Sequence, residues 1–417
     1  MNKRLFFLLL LLAGIGAAAQ VRPDADNAGL KLPSGFGALR VADNIGRARH
    51  IAVTKEGDVF VKLERMKNGG GICWLHDSNG DGKADEIKNF GNFNGTGIFI
   101  RNNYLYASSD QEVFRYQLDA GDKVIDPSNP EKIVTGLISR FEHEAKAILL
   151  DNNNNLYVNI GAFSNSCQEK DRQLHSMGIK PCPVLDSAGG IWQFRADKPN
   201  QTYANGIRYA TGLRNVVGMD WNTQVNQLFV MQHGRDQLHD IFPEMYTEKQ
   251  NADLPAECLY AIKKGDNAGW PYTYYDPFLN KKMLAPEYGG DGKKEGSKEY
   301  IDPLVAFPAH LAPNGLLFYT GSQFPARYRN GAFIAFHGSW NRAPEPQEGF
   351  YVVFVPFSNG KPSGKWEVFA NGFSGKSEIK NPREAEHRPC GLAQGPDGSL
   401  YVTDDVKGSV YRIMYKG

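Results

Sequence analysis

One phrase recurs along this chain and constrains its fold more than any other feature. A polar or basic residue precedes a short apolar stretch, a turn follows, and then comes a run such as Leu-Tyr-Val. Arg49-His50-Ile51-Ala52-Val53 leads to Val59-Phe60-Val61, and His143 leads through Ile148-Leu149-Leu150 to Leu156-Tyr157-Val158. Arg214-Asn215 leads through Met219-Asp220-Trp221 to Leu228-Phe229-Val230, and Arg388-Pro389-Cys390-Gly391-Leu392 leads to Leu400-Tyr401-Val402. Weaker copies begin near Gly97 (Tyr104-Leu105-Tyr106) and near His310 (Leu316-Leu317-Phe318). About six copies at this spacing predict an all-β, six-bladed β-propeller with long loops on one face. A propeller turns equivalent positions of every blade toward one axis. Arg49, His143, Arg214, His310 and Arg388 are therefore expected to meet in one pocket.

Alternation such as Asp58-Val59-Phe60-Val61-Lys62-Leu63 predicts half-buried strands. Turns are marked by Lys55-Glu56-Gly57-Asp58, by Asn152 to Asn155 and by Pro396-Asp397-Gly398. The stretch from Gly234 to Phe307 lacks a clear period and reads as long connections with a little helix. The strand at Ser409 to Met414 is expected to complete a blade begun near the N-terminus.

Asn2-Lys3-Arg4, the apolar run Leu5 to Leu12 and Ala17-Ala18-Ala19-Gln20 have the order of an export signal. Residues 1–20 are thus expected to be a signal peptide and residues 21–417 one propeller domain in the periplasm or secreted. No later segment is apolar enough to predict a stable membrane span. Net charge is +1, so no nucleic-acid partner is implied and any anion site must be local. Of the five cysteines, Cys167 and Cys182 flank a polar insertion and are the expected disulfide.

Several clusters carry groups suited to chemistry. Asp77 to Glu86 resembles much of a calcium loop, but Lys88 stands where a bidentate acid belongs, and a plain hairpin turn between Trp74 and Ile87 is the favoured reading. His233-Gly234-Arg235-Asp236 follows a strand, and Glu257 adds a further oxygen. Phe336-His337-Gly338-Ser339-Trp340-Asn341-Arg342 ends another strand, with Trp340 either packed as core or facing a site. Arginines at blade starts would sit in a narrow channel, where charge must be paired or bind an anion. Together Arg49, Arg214 and Arg388 point to an anionic ligand, since guanidinium matches carboxylate geometry. His143 is placed as a general base.

In order, these motifs resemble the pyrroloquinoline-quinone-dependent sugar dehydrogenases, the family of soluble glucose, sorbosone-type and pyranose dehydrogenases. The resemblance spans Leu39 to Tyr415 and includes Gly269-Trp270-Pro271; Gly338 to Arg342 looks closer to the sorbosone and pyranose branch. It implies an exported quinoprotein that oxidises a sugar, with pyrroloquinoline quinone (PQQ) and calcium (Ca2+) as cofactors and an external electron acceptor. His143 aligns with the base, and Arg214 with the arginine over the quinone oxygens. Arg49, Asn215, His337 and Arg388 align with cofactor contacts, and Gly234, Arg235 and Asp236 with the calcium region. In the glucose branch an Asp stands at the position of Ala162 and orients the histidine, so another group must do so here. Two other readings of the scaffold are a binding-only propeller and a lactonase-type hydrolase.

Overall fold

Side chains on opposite faces of a strand alternate, and in this chain both faces are apolar. Val59 to Leu63 is buried throughout rather than on one face, because each sheet is packed on both sides. Phe60 and Trp74 join one apolar cluster, while Val59, Val61, Cys73 and Leu75 join another. Six large clusters of this kind fill the gaps between neighbouring sheets. Lys62, in the same run, is fully buried and donates to the carbonyls of Gly71 (2.9 Å) and Phe93 (2.6 Å).

The structure is a computed structural model that describes residues 21–417; the expected signal peptide at 1–20 lies outside the described residues. The described residues form six blades, five of four strands and one with a short fifth strand. The innermost strands are Ala48–Val53, Ile98–Arg101, Ile148–Leu150, Val216–Asn222, Pro313–Phe318 and Pro389–Gln394, for blades 1 to 6. Each touches the next, and the sixth returns to the first, which closes the ring. A cavity of about 310 Å³ at one mouth of the channel is lined by residues of every inner strand. Gly391 makes one such approach possible, since a Cβ there would sit 2.5 Å from the Arg49 carbonyl.

The last blade is completed by the N-terminal strand Phe36–Ala42, paired antiparallel with Val410–Tyr415. This is the expected closure. Phe36 anchors it against Phe324, Tyr328, Phe369 and Tyr415, with ring centroids 4.8 to 5.4 Å apart. The stretch 234–307 differs from expectation. It holds helices Leu238–Ile241 and Glu248–Asp253, but also blade strands Ala256–Ile262 and Val305–Ala309 and the hairpin Thr273–Asp276 with Lys281–Leu284. Blade 5 is also displaced by one strand. Leu316 to Phe318 belongs to its inner strand, and Ala332–Phe336 is the second.

The disulfide Cys167–Cys182 is present, and Cys73, Cys258 and Cys390 are buried thiols. No helix among the described residues is long and apolar enough to cross a membrane. Removing the closing ring should be expensive: Phe36→Ala is expected to cost about 3–5 kcal/mol. Equilibrium urea unfolding checks this, and a change under about 1 kcal/mol would mean that the ring is held shut elsewhere.

Candidate active site

Antiparallel order decides which residues can meet. Inner strands begin, and second strands end, on the same face of the ring. Arg49, His143, Arg214, His310 and Arg388 sit at inner-strand starts, while Ala162, His233, His337 and Asp405 lie just past second strands. The connections 161–189, 233–255 and 337–350 rise from this face as well.

These groups line two adjoining cavities rather than the single pocket expected. One, of about 500 Å³, is lined by Arg47, Arg49, His337, Arg383, Arg388 and Asp405, among others. The other, of about 230 Å³, is lined by His143, Arg172, Arg214, His233, Asp236 and Glu257, among others. Trp340 lines both and is 56% exposed, so it is not a core residue.

In the larger cavity, Asp405 bridges Arg49 Nη1 (3.0 Å) and His337 Nε2 (2.8 Å). Burial pushes the Asp405 carboxyl up, but His337, Arg49 and Arg388 outweigh it and hold the group well below the usual range. Arg49 is therefore already neutralised, contrary to the expected free clamp, although its Nε remains without a partner. Arg388 donates to the carbonyls of His337 (3.0 Å) and Gly338 and forms no ion pair among the described residues. With Arg47 and Arg383 alongside, arginines outnumber the carboxylates Glu64 and Asp405 in the lining. A ligand bearing carboxylates suits that excess.

In the smaller cavity, His143 is held by its Nδ1 against the carbonyl of Ala162. A carbonyl only accepts, so Nδ1 carries the hydrogen and Nε2 keeps a free lone pair. Position 162 thus orients the histidine after all, through its main chain. Gly161 lies directly beneath, and a Cβ there would come within 2.6 Å of His143 Cβ. Asn215 supports this floor: its Oδ1 accepts from Asn159 Nδ2 at 3.3 Å and would sit 2.9 Å from that same Cβ. It lines neither cavity, and in this arrangement it acts as a buried support.

The expected calcium residues are otherwise engaged. Arg214 Nη1 donates to the Gly234 carbonyl at 2.8 Å, and Nη2 pairs with Asp236 Oδ2 at 2.8 Å. Asp236 also receives Asn341 Nδ2 (2.7 Å) and Arg172 (3.4 Å). Burial raises its carboxyl, but Arg214, His310 and Arg172 hold it well below the ordinary value. Arg235 turns away into a buried ion pair with Glu287, and its guanidinium offers no oxygen to a cation. Glu257 accepts only from the amides of Gly234 (2.9 Å) and Ala312 (3.4 Å), and burial pushes it up to about 7. Calcium takes six to eight oxygens, and the carbonyl and carboxylate here are already taken by guanidinium, so this loop as arranged does not fit it. The Asp77 loop is also closed on itself, with Asp77 accepting from Gly80 and Gly82 amides at 2.7 Å. No cluster of three or more His, Cys, Asp or Glu among the described residues is arranged as metal ligands.

Asp405 and Arg172 were not singled out as site residues from the sequence, whereas His233 was, as part of the cluster at its strand exit. Asp405 had a signal, because it follows a second strand just as His233 and His337 do. Arg172 had none: it comes from the disulfide-closed insertion, which has no repeat partner.

A family model described as TrAA12-like matches residues 30–416. An uncharacterized protein of Borreliella burgdorferi is 26% identical over 93% of this chain and 91% of its own length. A PQQ-dependent sugar dehydrogenase of Hypocrea jecorina is 22% identical over 86% of this chain and 81% of its own length. The calcium structure of the Trichoderma reesei family AA12 enzyme superposes with TM-score 0.75 and 19% identity, covering 96% and 99% of the two chains.

Burial, with Arg214 nearby, pushes the His143 imidazole down to about 3. The unfolded chain takes up a proton near 6.5 that the folded site refuses until about 3, so this group disfavours folding progressively as pH falls between those values. The His143 ring signals in an NMR titration should stay constant from pH 5 to pH 8. A midpoint near 6.5 would show a solvated imidazole.

Proposed function

The chain belongs to the TrAA12-like family, and from that premise we propose that it is a PQQ-dependent sugar dehydrogenase. The observation that carries this reading is the junction of an arginine-rich cavity with one holding a neutral histidine, with Trp340 shared between them. The H. jecorina relative is described as a PQQ-dependent sugar dehydrogenase, which supports the same cofactor and substrate class here. Arg388 and the unpartnered Arg49 Nε suit the carboxylates of the cofactor. Bound there, PQQ would supply the two-electron sink for oxidation at the substrate's anomeric carbon.

The rest is done by this chain's own side chains. His143 Nε2 takes the proton of the anomeric hydroxyl, and the Ala162 carbonyl holds the ring in the required tautomer. Arg214 has one Nη1 hydrogen beyond its bonds to Gly234, Asn165 and Asp236 and supplies positive potential where negative charge builds up. Its other bonds keep it from moving, so no reorganisation is needed at that moment. The T. reesei relative has a calcium structure; in this chain, a cation at Gly234 would first have to displace Arg214. The steps assigned to His143 and Arg214 need no cation at this loop. The reading includes an external electron acceptor and export by the N-terminal signal, which the Cys167–Cys182 disulfide supports.

Titrating the purified protein with PQQ, followed by tryptophan fluorescence, should give a saturable change with the same midpoint in calcium and in chelator. Arg388→Ala should weaken that binding about 10- to 100-fold. His143→Ala should leave it intact and lower sugar-dependent reduction of an artificial dye about 10²- to 10⁴-fold. Absence of saturable PQQ binding by the wild type would end this reading.

A further inference from the structure

We propose that Arg172 is a positioning residue for His143: its guanidinium ties the histidine's segment to Asp236 and Arg214, and so fixes the spacing between the base and the arginine. The inference rests on the dehydrogenase reading above and adds a residue that reading does not use.

The segment that carries His143 is not held by packing. Residues 138–145 are all partly or fully exposed, and Phe141 is 99% exposed. Phe141 and His143 stand at φ 57° and 51°, in the left-handed region where a Cβ crowds the backbone. Such backbone persists only where its surroundings impose it. Polar contacts do so here. The Phe141 amide donates to Glu144 Oε1 at 3.2 Å, Lys146 Nζ donates to the Glu144 carbonyl at 2.6 Å, and His143 Nδ1 meets the Ala162 carbonyl. Glu142 supplies the link beyond these. Its Oε1 accepts Arg172 Nε at 3.0 Å, and its Oε2 has no partner. Arg172 is thus the one donor this carboxylate has among the described residues.

Arg172 joins that segment to the Asp236 cluster. It lines the same cavity as Glu142, His143, Arg214 and Asp236. Its Nη1 donates to Gln237 Oε1 at 2.9 Å, and Nη1 and Nη2 both lie 3.4 Å from Asp236 Oδ2. The same Asp236 oxygen receives Arg214 Nη2 at 2.8 Å. A run of contacts therefore leads from Glu142, next to His143 in the chain, through Arg172 and Asp236 to Arg214. A planar fork can serve two carboxylates in fixed directions, which an ammonium cannot. The backbone under the fork is fixed as well. Arg172 stands at φ 58°, and its amide donates to Gln168 Oε1 at 3.0 Å. Neighbouring Asp171 Oδ1 accepts Ser164 Oγ at 2.6 Å and the Asn165 amide at 3.0 Å. Asn165 Oδ1 in turn accepts Arg214 Nη2 at 3.1 Å. With both ends anchored, loss of the guanidinium frees the base to shift relative to Arg214. A misplacement of about 1 Å can cost about 100-fold in rate.

Arg172→Gln, assayed by sugar-dependent dye reduction, should lower kcat about 10- to 100-fold. KM and the PQQ midpoint should stay within about threefold of wild type. Arg172→Lys keeps the charge and one ion pair, so it should hold its Tm yet remain at least about fivefold slow. Arg172→Gln combined with Glu142→Gln should be no slower than the slower single variant, because both break one link. A readout without PQQ comes from imidazole 15N NMR of the ligand-free protein. His143 should show the Nδ1–H tautomer alone in the wild type and both tautomers in Arg172→Gln. A kcat within about twofold of wild type in Arg172→Gln, full recovery by Arg172→Lys, additive losses in the double variant, or an unchanged tautomer signal would each overturn the proposal. If the wild type binds no PQQ or turns over no sugar, the dehydrogenase reading fails and the tautomer measurement alone decides: mixed tautomers in Arg172→Gln support the positioning role, and a single one overturns it.

Discussion

The ring is shut by main-chain pairing between Phe36–Ala42 and Val410–Tyr415, two segments from opposite ends of the chain. A propeller has no other way to join its last blade to its first except through side-chain packing. Here the closing strand also carries Phe36 into a cluster of four aromatic rings. Closure fixes the separation of the inner strands, and that separation sets the size of the channel mouth. Arg49 on blade 1 and Arg388 on blade 6 face one cavity only because those blades are adjacent across the seam.

Charge in the channel is organised around two carboxylates. Asp405 gathers Arg49 and His337, and Asp236 gathers Arg214, Arg172 and Asn341. The Asp236 cluster stays more cationic than anionic, whereas Asp405 and Arg49 cancel and burial pushes His337 toward its neutral form, leaving Arg388 as the unpaired charge beside them. A buried arginine without a carboxylate would be costly, while one fully neutralised would have little field left for a ligand. Sharing one acid among several donors lies between these limits. It also explains why both carboxyls stay ionised in spite of burial, which alone would push them up.

Much of the fold could be read from the repeat because the repeat is physical: an apolar inner strand, a turn, and a second apolar strand between two packed neighbours. The copies at Arg49, His143, Arg214 and Arg388 fell in register with blades 1, 3, 4 and 6. The copy near His310 slipped by one strand, because the segment 319–331 separates the blade 5 strands and Leu316 to Phe318 resembles a second strand. The strands within 234–307 were hidden by insertions that contribute no period of their own. Site residues at strand ends were legible, since direction alone gathers them on one face. The pairing of Arg214 with Asp236 was not, nor was the inward turn of Arg235, because both depend on side-chain directions in an irregular loop.

Ala162 shows how a missing side chain can mislead. Its methyl cannot orient an imidazole, yet its carbonyl does. The left-handed backbone of His143 and the bare Gly161 beneath it bring Nδ1 to that oxygen. The substitute differs from a carboxylate in one respect. An acid would stabilise the imidazolium and raise its basicity, whereas a neutral carbonyl fixes the tautomer and adds little charge. With burial and Arg214 holding its imidazole down, His143 would act, under the proposed function, as a well-placed but weak base. Such a base is best matched to an acidic proton, and the anomeric hydroxyl of a sugar is more acidic than an ordinary alcohol because the ring oxygen withdraws electrons. Under the proposed function, the geometry that costs the histidine its basicity would thus narrow the substrates on which it could act.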